Sequence, residues 1–108
     1  MIEQKHAKTG VMIVIPVSGP IHSTPLDVPP ALSILRRAVG GDIEPIPGIT
    51  VYIHEGRPMG CWALCNAHGK HLGLRTNRRV TDLLTMGTDV MAGDVVILAG
   101  THAFLRGL

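Results

Sequence analysis

The stretch ITVYIHEGRPMGCWALCN, residues 49–66, carries the reading of the fold. Its first half alternates, with Ile49, Val51 and Ile53 on one face and Thr50, Tyr52 and His54 on the other, which is the period of a strand. GRPMG at 56–60 reads as a turn and CWALCN at 61–66 as a second strand, so the two form a hairpin. A hairpin at mid-chain commits the sheet to antiparallel pairing there.

Working outward, VMIVIPV at 11–17 is β-branched and almost continuously apolar. It suits a strand covered on both faces, with Pro16 at its end because proline cannot donate to a ladder. SGPIHSTPLDVPP at 18–30 holds four of the eight prolines and reads as a connecting loop, in which His22 and Ser23 are solvated. ALSILRRAV at 31–39 carries Leu32, Leu35 and Val39 on one stripe and Ala31, Ile34 and Ala38 beside it, the apolar face of a helix. Arg36 and Arg37 suit its last turn, and Gly40 suits a left-handed cap. GDIEPIP at 41–47 is a short edge strand limited by its prolines. Beyond the hairpin, NAHGK at 66–70 is turn chemistry, with Gly69 expected at positive φ. A second helix follows, capped by Thr76 or Asn77, with Val80, Leu83 and Leu84 inward and Gly87 at its end. After a loop through Asp89 and Gly93, DVVILA at 94–99 is another buried strand, and 100–108 is a tail. The expected fold is α+β: a mixed, mostly antiparallel sheet of about five strands with two helices packed on it. One domain over 1–108 is expected, with a polar segment at 1–10.

Composition narrows the functional classes. The chain is 45% apolar but only 3% aromatic, so its core is aliphatic, and some apolar surface is expected to meet a second copy in a homo-oligomer. A net charge of +2 is too mild to steer the whole molecule to nucleic acid. The apolar run at 11–17 is far too short for a membrane span or a signal h-region, so a cytoplasmic protein is expected, its two cysteines free.

The charge matters through its clustering. No carboxylate lies between Glu55 and Asp82, while His68, Lys70, His71, Arg75, Arg78 and Arg79 fill that gap. A helix N-terminus already carries unpaired N–H groups and partial positive charge. Arg78 and Arg79 in its first turn are therefore unfavourable, by a few tenths of a kcal/mol each. They make sense if an anion sits there, held by guanidinium forks and free amides. Lys70 and His71 would approach from the preceding turn, with Arg75 in support and Thr76 and Asn77 adding polar contacts. The competing reading is a solvated face whose arginines pair with Asp82, Glu44 or Glu55. No P-loop pattern is present.

Other chemistries are weaker. Cys61, Cys65, His68 and His71 are metal-competent, but thiols four residues apart on a strand lie about 13 Å from one another, which argues against zinc. A Cys–His pair lacks any nucleophile motif, so catalysis is the lesser alternative. Nucleic-acid binding is not favoured, because stacking aromatics are few and the two helices are too far apart for a helix-turn-helix. No cofactor is expected.

VGGDIE at 39–44, Asn66 with Gly69-Lys70, then Leu74, Asn77, Val80 and Thr81, and finally GDVV at 93–96 resemble a family of small domains of unknown function common in bacteriophages and actinobacterial mobile elements. Order and spacing over about residues 32–99 carry the resemblance. His68 departs from a usually acidic position and Arg75 from one often held by proline, and both changes add positive character. The resemblance implies a small α+β fold, a phage or mobile-element setting and no catalytic residues. With the basic cluster it gives the expected function: capture of an anionic small molecule, such as a nucleotide-derived host defence signal. Contact with a host protein or nucleic acid, and a small Cys/His enzyme, are the alternatives.

Overall fold

A computed structural model of the chain describes residues 9–81 and 91–107. The expected positions of Leu83, Leu84, Gly87 and Asp89, and the polar segment up to residue 8, lie outside these. The described elements run β1 (Gly10–Ile15), β2 (His22–Leu26), α1 (Leu32–Val39), β3 (Ile43–Pro45), β4 (Val51–His54), β5 (Arg57–Asn66), α2 (Arg78–Thr81), β6 (Val95–Gly100) and α3 (His102–Arg106). Six strands form one sheet in the order β2-β1-β6-β5-β3, with β4 also on β5. Every strand pairing among them is antiparallel. The α+β class therefore holds, with six strands and three short helices among the described residues where about five and two were expected.

β6 explains the layering. Val95 to Ala99 are all fully buried, as a run apolar on both faces requires. Val95, Ile97 and Ala99 meet Val11, Ile13 and Ile15 of β1 and Cys61 and Ala63 of β5 on one face. Ile46, Ile49, Val80 and Met91 close that core. Val96 and Leu98 face the other way, under Leu35 and Val39 of α1 and Phe104 of α3. Two apolar cores thus share one central strand.

Three expectations change. The proline-rich 18–30 is not all loop: β2 pairs with β1 over His22–Leu26, and Pro25 is tolerated because β2 is an edge strand. The tail expected from residue 100 is structured over its described residues, 100–107. Thr101 caps α3, its hydroxyl accepting from the Phe104 N–H at 3.1 Å, and Phe104 is 2% exposed. The ring fits because Gly10 and Gly100 are paired beneath it, where any Cβ would meet the ring or the backbone. The hairpin turn is shorter than read: Glu55 and Gly56, both at positive φ, make a two-residue turn, and β5 begins at Arg57.

The helix face is also narrower than its sequence suggests. Leu35 and Val39 are buried, but Leu32 and Ile34 are each 48% exposed. Gly40 does cap α1 in the left-handed conformation, as expected.

Candidate functional site

The end of β5 and the turn after it are fixed by side-chain amides. Asn66 donates from its amide to the Val39 carbonyl at 3.1 Å, and its carbonyl oxygen accepts from the His68 N–H at 2.8 Å. The Ala67 N–H reaches the Asp42 carbonyl at 2.8 Å. Gly41 lies so close that a Cβ there would be 3.0 Å from the Asn66 amide nitrogen. The helix end and the turn after β5 are thereby locked together. Gly69 is required for closeness rather than for φ, which corrects the expectation of a positive φ: a Cβ would stand 2.8 Å from the Ala92 carbonyl oxygen. Gly73, at φ 73°, is the residue of this turn that takes the left-handed conformation.

Against this frame sits a hollow of about 330 Å³. Glu44 and the prolines that follow it line it. Cys65, the turn bearing His68, Lys70 and His71, and Met91 and Ala92 line it too. His68 also stands 4.0 Å from Asp42, which lies 3.7 Å from Arg36. Both contacts are exposed and contribute little to stability.

The remaining expected site residues go elsewhere. Asn77 is completely buried and is consumed by the architecture. Its amide donates to the carbonyls of Ile15 at 2.8 Å and Gly93 at 3.0 Å, and its oxygen caps α2 by accepting from the Val80 N–H at 3.3 Å. That confirms the cap and assigns the residue a tethering role. Arg79 donates to the Gly19 carbonyl at 2.5 Å and toward Pro16 at 3.4 Å, holding the β1–β2 connection. Thr76 bridges to Ala92, and Arg75 lines a separate hollow with Arg37 and Asp94. Arg78 is exposed. The seven residues of the expected site therefore divide: Lys70 and His71 share a hollow, Arg75 and Arg79 each line a different one, and Asn77 is inside the fold. The signal that separates them is in the polar partners, because Asn and Arg side chains satisfy backbone carbonyls that sequence cannot locate.

The expected site omits His68, which lines the hollow, and it omits Glu44 and Cys65. The last two are paired positions, Glu44 opposite Cys65 across β3 and β5, and so share a face. The other thiol is ill placed for chemistry: Cys61 is buried, its sulfur lies 3.8 Å from the Ile49 carbonyl, and burial raises its pKa above the ordinary 9.0. A protonated thiol is a poor nucleophile. Among the described residues no group of three or more His, Cys, Asp or Glu is arranged to hold a metal, and no helix is long and apolar enough to cross a membrane.

The segments that carried the resemblance converge here as architecture. Val39, Gly41 and Asp42 meet Asn66 and Ala67; Gly69 meets Ala92; Gly93 accepts from Asn77. Asp94 accepts from the Val17 N–H at 2.9 Å. No curated protein and no solved structure matches the chain. One family model does, over residues 8–104, and the chain accordingly belongs to the family described as a domain of unknown function, DUF3846.

Proposed function

We propose that the chain is a non-enzymatic binding protein that takes an anionic small molecule in the hollow beside the 67–71 turn. The observation that carries this reading is the convergence of His68, Lys70 and His71 on one concave surface, in the part of the chain that has no carboxylate of its own. Lys70 supplies a point charge, and the imidazoles of His68 and His71 supply N–H donors. Glu44, which also lines the hollow, favours a ligand that carries hydrogen-bond donors as well as an anionic group, which describes a nucleotide: phosphate toward Lys70, base or ribose toward Glu44. A volume of about 330 Å³ suits a mononucleotide-sized ligand better than a macromolecule.

The setting is inferred from the resemblance described above. In a phage or mobile element, a small protein of this kind would act in the host cytoplasm and sequester a nucleotide-derived defence signal. The basic helix tip is the less favoured seat, because Asn77 and Arg79 are engaged with backbone carbonyls.

A thermal-shift series tests the reading. Inorganic phosphate, mononucleotides and cyclic dinucleotides are titrated against the whole chain. A true ligand at a hundredfold excess over Kd adds about 2.7 kcal/mol. For a domain of this size that is a rise of about 10 °C or more. The shift is expected to vanish in Lys70→Ala and to survive in Arg78→Ala. A shift that is unchanged in Lys70→Ala and lost in Arg78→Ala would return the site to the helix tip.

A further inference from the structure

The two edges of the sheet are protected unequally. On one side β2 carries Pro25, which removes an N–H. On the other, Val51–His54 of β4 contains no proline, no lysine and no acidic residue, and among the described residues it pairs with β5 alone. The direction of its backbone groups follows from the hairpin. The Cys61 N–H donates to the Thr50 carbonyl at 3.0 Å, so Thr50 and Cys61 are a hydrogen-bonded pair. By alternation Tyr52 opposite Met59 and His54 opposite Arg57 are hydrogen-bonded pairs too, while Val51 opposite Gly60 and Ile53 opposite Pro58 are not. Pro58 has no N–H to give, which agrees. The N–H and C=O groups of Val51 and Ile53 therefore point away from β5, along the outer edge.

The same two residues are the exposed apolar ones, Val51 at 58% and Ile53 at 66%. Their side chains lie on the face of Gly60 and Trp62, opposite to Tyr52, which packs into the core. Trp62, 45% exposed, is two residues along β5 from Val51's partner and extends the patch. Beside the edge lies a hollow of about 500 Å³ whose lining includes Ile15, Ile21, Ile49, Ile53 and Arg79.

We propose that β4 pairs antiparallel with β4 of a second copy of this chain, about a two-fold axis through Tyr52. In that register Val51 faces the partner's Ile53, and the two exchange both N–H···O bonds. The symmetric pair does the same, so all outward backbone groups of Val51 and Ile53 are satisfied on both copies. Both apolar side chains gain a cross-strand neighbour on the same face. The occupant is a second copy because this one register meets the hydrogen-bonding and apolar requirements of the edge together, and it opposes no like charges. The contact is short of the roughly 800 Å² per partner of a standard interface, so the dimer dissociates on dilution.

Analytical ultracentrifugation over a dilution series, with amide hydrogen exchange at each concentration, tests it. Dimer mass is expected at high concentration, with protection rising at Val51 and Ile53 and unchanged at Tyr52 and His54, already bonded to β5. Ile53→Lys is expected to weaken the dimer by about tenfold or more while leaving the melting temperature of the dilute protein unaltered, since the side chain is mostly solvated. Ile53→Val is expected to retain it. A chain that stays monomeric at the highest concentration, or a dimer that persists in Ile53→Lys or forms without protecting Val51 and Ile53, overturns the proposal.

Discussion

The turn at 67–71 and the segment at 75–79 are neighbours in sequence and alike in charge, yet they do opposite work. The first presents His68, Lys70 and His71 to a hollow. The second spends Asn77 inside the fold and Arg79 on loop carbonyls. The difference lies in what each side chain finds nearby. Asn77 meets the backbone carbonyls of Ile15 and Gly93 inside the fold, and a buried amide bonded in this way is worth more to the fold than to a ligand. The lesson is that a cluster of charge along a chain is not a cluster in space.

Replacing Asn77 tests this contrast hardest. Asn77→Ala removes a helix cap and the buried amide that donates to the Ile15 and Gly93 carbonyls, so a loss of about 3 kcal/mol is expected in urea unfolding. A loss below about 1 kcal/mol would mean that the residue is not structural and would reopen the helix tip as a site. Gly69→Ala comes next. Its Cβ would press on the Ala92 carbonyl at the back of the hollow, and about 2 kcal/mol of stability should go, together with ligand binding. The smallest effects sharpen the comparison most. Arg79→Ala should cost about 1 kcal/mol and leave ligand affinity intact, whereas Lys70→Ala should change stability by less than about 0.5 kcal/mol and abolish affinity. Paired chemical denaturation and calorimetric titration of these two variants separates the roles.

Much of the architecture is legible in local pattern. The apolar runs of β1 and β6 announce strands buried on both faces, and both cores use them. Gly40 announces the end of α1, and Asn77 the start of α2. What escaped was decided by contact. β2 is a strand only because β1 offers it an edge, which no local rule reveals in a proline-rich segment. α3 forms where Gly10 and Gly100 leave room for Phe104. Val51 and Ile53 lie on one face as their alternation requires, but among the described residues the helical layer packs mainly on β6, β5 and β3, and these two side chains stay exposed.

The candidate site was half visible. Lys70 and His71 stood out by charge, while Glu44 entered only through its pairing with Cys65 across the sheet. Sequence alone determined which segments are apolar, where the chain turns and where positive charge concentrates, because these follow from side-chain chemistry and spacing. The tertiary structure alone decided which polar side chains are consumed and which face a hollow. That outcome depends on where distant backbone carbonyls fall, and such positions are set by the packing of the whole sheet.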